Sequence, residues 1–163
     1  MIALPVEHIR EFMNKLLLTP SFDCFMVSEA SITTFATFSI DGLYHPEFFE
    51  DEQIGLPDPA AETQIGWDRI RPFCLSVIKG KRLPLSFHFV LQLPRKELPA
   101  FLEKNDLSLA AEDVFGLFLN VQYRSEALTV TTGSSLRVFT GDRSLDQAWD
   151  QTVRSFLEKE ELI

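Results

Sequence analysis

With 163 residues, 45% of them hydrophobic and 24% charged, the chain is long enough for one domain whose core needs neither disulfide nor metal. Its formal net charge of −9 argues against general nucleic-acid binding, which needs a positive footprint, but leaves room for a local basic patch. No apolar run reaches the ~20 residues of a membrane span, the opening MIALPVEHIREF turns polar too soon for a secretory signal, and the widely spaced Cys24 and Cys74 read as buried thiols, so a cytoplasmic protein is expected.

Phenylalanine is abundant, 15 Phe against 2 Tyr and 2 Trp, which suits a thick dry core or a Phe-lined pocket. An N-terminal helix is expected from Pro5, with Val6, Ile9, Phe12, Met13, Leu16 and Leu17 at helical spacing and a stop at Thr19-Pro20. Two β-rich runs, FDCFMV and ITTFATFSI, follow between Phe22 and Ile40, divided at Ser28–Ser31. Asp41-Gly42 is a type I′ hairpin signal that would pair Ile40 with Leu43, Phe38 with His45 and Phe35 with Phe48. Pro46 cannot donate to a ladder, which places that strand on an edge. Residues 50–64 are acidic and proline-containing and predict a mobile loop inside a single domain spanning 1–163.

Trp67 to Arg71 predicts one helical turn stopped by Pro72. Phe73–Lys79 and Leu83–Leu93 predict strands joined by Gly80-Lys81-Arg82. Gly80 favours a two-residue turn that sets Leu75 against Ser86. A three-residue loop instead matches Val77 with Leu85, Leu75 with Phe87 and Phe73 with Phe89. Burying several large side chains, each contributing ~1.5–3 kcal/mol, outweighs the turn preference. Pro94–Lys104 reads as helical, with Leu98, Phe101 and Leu102 inward and a fresh start at Pro99.

The segment from Phe115 to Ser134 is the plainest hairpin. A two-residue turn at Ser125-Glu126 pairs Tyr123 with Leu128 and Val121 with Val130 on one face. Asn120, Gln122, Arg124, Thr129 and Thr131 gather on the other. One dry face and one wet face mark an antiparallel sheet covered on one side. Leu136–Thr140 predicts a further short strand. The last helix opens on a Ser144/Gln147 capping box with Asp146 in the first turn. Leu145, Ala148, Trp149, Thr152, Val153, Phe156 and Leu157 make its apolar stripe, with Asp150 and Arg154 outside. The expected fold is α+β: about six or seven mostly antiparallel strands, with the N- and C-terminal helices packed on the apolar face of the sheet.

Lys79-Gly80-Lys81-Arg82 is the one concentrated positive charge, with Arg69 and Arg71 upstream. Such a turn can hold a phosphate through side-chain charge and free backbone N–H groups. Its spacing is not that of a P-loop, and solvated turn residues are the plainer account. Thr131-Thr132-Gly133-Ser134-Ser135 is a hydroxyl-rich turn that could cradle a phosphate or satisfy its own backbone. His45, near Asp41, Glu47, Glu50 and Asp51, suggests a carboxylate–imidazole metal site or a solvated acidic loop. His88 shares a polar strand face with Ser86 and Gln92, where a general base is conceivable.

No acid–base pair, nucleophile or metal set is assembled in the sequence, so no catalytic residue, metal ligand or cofactor is assigned. The expected role is a non-enzymatic binding or protein-interaction module, self-associating through a sheet edge or an exposed aromatic surface. The alternative is a binder of, or enzyme acting on, a phosphorylated small molecule, with Lys79, Lys81, Arg82, Thr131, Thr132 and Ser134 as its site.

Ser28-Glu29-Ala30, Ile32-Thr33-Thr34-Phe35, Asp41-Gly42, Arg71-Pro72-Phe73, Lys79-Gly80-Lys81, Thr131-Thr132-Gly133 and Trp149-Asp150 occur together. In these strings the chain resembles a small uncharacterised bacterial family, a domain of unknown function found in anaerobic Gram-positive species. The resemblance covers nearly the whole chain and implies a self-contained cytoplasmic domain. It brings no activity, cofactor or catalytic residue with it.

Overall fold

Seven antiparallel strands form one sheet in the computed structural model, which describes residues 1–49 and 63–163. Side by side lie β1 (Ala3–Val6), β7 (Ala127–Leu136), β6 (Val114–Arg124), β5 (Ser86–Gln92), β2 (Met26–Thr33) and β3 (Thr37–Ile40), while β4 (Ile65–Gly66) also pairs with β2. The helices are α1 (Ile9–Leu18), α2 (Trp67–Ile78), α3 (Leu98–Lys104) and α4 (Ser144–Lys159). This is the α+β class, with its mostly antiparallel sheet, that the sequence predicts. The predicted mobile loop at 50–64 lies outside the described residues but for its last two positions.

The central hairpin has the register its turn demands: Tyr123 opposite Leu128, Val121 opposite Val130, Asn120 opposite Thr131. Ser125 and Glu126 take φ of 52° and 61°, the left-handed pair whose twist matches the strands. Neither is glycine, so each costs on the order of 1 kcal/mol, and the buried cross-strand pairs offset that.

On β5, buried Phe87, Phe89 and Leu91 stand beside Tyr123, Val121 and Leu119 of β6. On the other side they meet Ile32, Ala30 and Val27 of β2. Buried residues from the helices join the same core: Phe12 and Leu16 of α1, Trp67 and Cys74 of α2, Trp149 and Val153 of α4. Both indoles are anchored. Trp67 Nε1 donates to the Leu16 carbonyl at 2.9 Å and Trp149 Nε1 to that of Phe118 at 2.8 Å, so neither buried N–H is orphaned.

Several expectations are corrected. The chain opens with a strand, not a helix: Pro5 lies in β1 opposite Thr129, and α1 begins only at Ile9. A proline is harmless there because β1 is the outer edge of the sheet. β2 runs straight through the supposed divide at Ser28–Ser31, accommodating it with a bulge between Val27 and Glu29. Its partner β3 returns after Thr34–Ala36, so Ile40 faces Ala30 and Phe38 faces Ile32, not Leu43 and His45. Phe35 is not paired with Phe48; it packs edge-on against Phe38 and is 94% exposed. Asp41-Gly42 does turn the chain, but as an Asx turn in which Leu43 N donates to Asp41 Oδ1 at 3.0 Å, and Leu43 then bridges to Gln64. Pro46 opens a short 3-10 helix, Pro46–Phe49, where an edge strand was expected.

The largest correction falls between Trp67 and Lys79. Pro72 does not stop the helix; α2 continues to Ile78, so Phe73–Lys79 is no strand and neither hairpin register applies. Trp67, Ile70, Cys74 and Ile78 fall on one buried helical face. Burying four such side chains, at ~1.5–3 kcal/mol for each large one, outweighs the ~3 kcal/mol an interior proline costs. Pro94–Lys104 divides as expected, with α3 starting at Leu98 and Pro99 in its first turn. Of the strand expected at Leu136–Thr140 only Leu136 is in a strand, as the last residue of β7; the rest is irregular. Ser144 does not cap α4, whose N-cap is Arg143 with no side-chain cap bond; Asp142, one residue further out, accepts through Oδ1 from Ser144 N at 2.9 Å and Ser144 Oγ at 2.6 Å.

Candidate functional site

The basic turn is delivered by the C-terminus of α2. Lys79 N–H still bonds the Leu75 carbonyl at 2.8 Å, and Gly80 then takes φ of 151°, a backbone geometry that suits glycine. Lys79, Lys81 and Arg82 are all exposed. Beneath the turn lies a cleft of ≈ 470 Å³ closed by α1 on one side and by the β6–β7 hairpin on the other. Its floor is apolar, built from Ile9, Met13, Ile78 and Tyr123, with the exposed Leu83 at its edge. Its rim carries three cations, Arg10, Lys79 and Arg82, against one carboxylate, Glu126. None of the three cations makes an ion pair or side-chain hydrogen bond with another described residue. Lys81 does not line the cleft. Sequence reasoning missed Arg10, because only the packing of α1 beside the hairpin turn brings it there.

The Thr-rich segment is a strand, not a turn. Thr131, Thr132 and Ser134 lie in β7 opposite Asn120, Leu119 and Leu117. Thr132 is buried; its Oγ1 accepts from Ile2 N at 2.9 Å and donates to Asp150. Ser134 Oγ donates to Asp146. These hydroxyls tie α4 and the start of the chain to the sheet, so Asp150 faces β7 and not outward as predicted. Thr131 presents its carbonyl to Asn120 Nδ2 at 3.3 Å. The segment runs along β7 away from the Ser125-Glu126 turn, and none of its residues lines the basic cleft. The six residues read as one site therefore separate: Lys79 and Arg82 lie at the cleft with Lys81 on the same turn, the Thr132 and Ser134 hydroxyls lie in a structural seam, and Thr131 alternates to the other face of β7.

His45 sits between two carboxylates, Nε2 at 3.1 Å from Asp41 Oδ2 and Nδ1 at 3.2 Å from Glu47 Oε1. Hydrogen bonding to Asp41, then to Glu47, holds its pKa above the ordinary imidazole value. The same contact lowers Asp41, while Glu47 is lowered first by its backbone and then by His45. Glu50 and Asp51 lie outside the described residues. Among the described residues no group of three or more His, Cys, Asp or Glu is arranged to hold a metal. His88 lies on the wet face of the sheet between Ser31 and Gln122, with Nδ1 3.9 Å from Glu29. A depression of ≈ 290 Å³ surrounds it.

Of the two thiols expected to be buried, only Cys74 is, and desolvation pushes it up to about 12. Cys24 is exposed, although crowding around its sulfur, seconded by Asp23, Glu160 and Glu97, also raises its pKa. Neither is primed as a nucleophile.

The model of a family described as "Family of unknown function (DUF5721)" matches residues 15–163. No curated protein and no solved structure matches the chain. Among the described residues, no helix is long and apolar enough to cross a membrane.

Proposed function

We propose that this chain, which belongs to the DUF5721 family, is a binding domain for a small amphipathic anion. The observation that carries the reading is the convergence of Arg10, Lys79 and Arg82, all without partners among the described residues, on a cleft whose floor is apolar. Guanidinium and ammonium groups engage a carboxylate or phosphate through charge-assisted hydrogen bonds, and Arg does so in a bidentate fork. The floor takes up a short alkyl or aryl body, and ≈ 470 Å³ falls within the range of small-molecule sites. The positive rim stands out against a chain of net charge −9, so it acts locally on ligands and not as a polyanion-binding surface.

The test is a thermal-shift and calorimetric series with octyl phosphate, octanoate, inorganic phosphate and octyltrimethylammonium. Octyl phosphate at 100 times its dissociation constant should stabilise the protein by ~2.7 kcal/mol. Phosphate alone should bind weakly and the cationic amphiphile should leave this cleft empty. The double variant R10Q/R82Q, both exposed positions, should abolish the octyl phosphate shift while moving the midpoint of the free protein little. Retention of the shift in that variant would overturn the proposal.

A further inference from the structure

A second cleft, of ≈ 500 Å³, has the opposite electrostatic character. It opens between α4, the start of β2, the first turn of α2 and the 3-10 turn at Arg95–Glu97. Phe25, Trp149 and Phe156 line it, with Phe25 and Phe156 ring centroids 5.4 Å apart, edge to face. Its walls are held by long-range bonds: Trp149 by the Phe118 carbonyl, and Asp23 by Arg71, which donates from Nε at 2.9 Å and Nη2 at 3.0 Å. That bidentate pair neutralises Asp23.

The remaining rim charges are Asp68, Glu97 and Lys96, all exposed and none in an ion pair with another described residue. Two free carboxylates against one ammonium leave the mouth negative. Glu160, nearby, is paired with Lys15 at 3.4 Å and does not enter this balance. Asp68 is turned back over Gly66, where a Cβ would meet its Oδ1 at 2.4 Å, so the absence of a side chain at Gly66 leaves the carboxylate its place at the cleft.

We infer that this cleft is a binding site for a small organic ammonium carrying an apolar body, received against aromatic walls under a carboxylate rim. A weakly hydrated cation gains from the faces of aromatic rings and from the carboxylates above it. A hard metal ion would find too few oxygen ligands in this wall, and an organic anion would meet the wrong sign of charge.

Cys24 makes the site readable. It lines the cleft and is exposed, whereas the other cysteine is buried, so iodoacetamide reacts with one thiol of the folded protein. Benzyltrimethylammonium should slow Cys24 alkylation about tenfold at saturation, while its uncharged isostere neopentylbenzene should protect far less at equal concentration. Octyl phosphate, directed to the basic cleft, should give no protection, so failure at either cleft is seen separately. The variant D68N/E97Q should weaken benzyltrimethylammonium about tenfold or more and leave the thermal midpoint of the free protein near the parent's. Equal protection by the neutral isostere, no protection by the ammonium, or parental affinity in D68N/E97Q would each overturn the assignment.

Discussion

Thr132→Val tests whether the Thr-rich stretch is a structural seam. Valine keeps the volume and the β-branch, so no cavity opens and strand propensity is kept. What disappears is one hydroxyl with two partners: it accepts from Ile2 N at 2.9 Å and donates to the Asp150 carboxylate. A neutral hydrogen bond contributes ~1 kcal/mol net and one to a charged group ~1.5–3. Ile2 and Asp150 are only half-buried, so water rehydrates them in part and the low end applies. The expected loss is therefore ~2–3 kcal/mol. For a chain of this length each kcal/mol moves the midpoint by ~2–4 °C, so calorimetry should read a fall of ~4–12 °C. Denaturant unfolding should show an unchanged slope, because no surface is newly exposed in the folded state. Thr132→Ser keeps the hydroxyl and loses one methyl, so it should cost less than valine. A fall below ~0.5 kcal/mol for valine, or serine costing as much, would refute the reasoning.

Two further outcomes follow from particular contacts. His45, held up by Asp41 and Glu47, adds stability that is present below its ordinary value of 6.5 and fades as pH rises through its raised folded value. Asp41 and Glu47, held down, add stability above their ordinary 3.8 and 4.5 that fades as pH falls through their lowered values. The turn at residues 41–47 should thus be tightest between pH 4.5 and 6.5. Proton NMR should place the His45 midpoint above 6.5 and D41N should bring it down; identical midpoints would disprove the coupling. Gly42→Ala should destabilise by more than ~2 kcal/mol in urea unfolding, since φ is 68° and the new Cβ would sit 2.3 Å from the Val27 carbonyl oxygen. An unchanged midpoint would show that this backbone gives way freely.

The central hairpin was legible because turn length and alternation agree there: only a two-residue turn at Ser125-Glu126 buries Val121, Tyr123, Leu128 and Val130 together. Residues 67–78 were not, because two periods fit them. Phe73, Leu75 and Val77 alternate like a strand, while Trp67, Ile70, Cys74 and Ile78 recur like a helix. The choice is made by distant partners, the Leu16 carbonyl under Trp67 Nε1 and the Phe89 ring 5.2 Å from the indole, which local patterning does not contain. The site divided in the same way. Lys79 and Arg82 were legible as a charge run, but Arg10 and the apolar floor enter through tertiary packing. The hydroxyls of Thr132 and Ser134 looked free only because the carboxylates that engage them lie on α4.

The pairing of β1 with β7 has a consequence for how the chain is made. Ala3 to Val6 emerge from the ribosome well over a hundred residues, about 120, before their partners, Leu128 to Thr131. At about 5–20 residues per second, that leaves the first strand without its ladder for roughly 6–25 s. During that time Leu4 and Val6, destined for the core, stay uncovered by the sheet. Pro5 between them withholds a donor from any stray strand that might pair there first. Pro5 is thus well placed to guard this edge during synthesis.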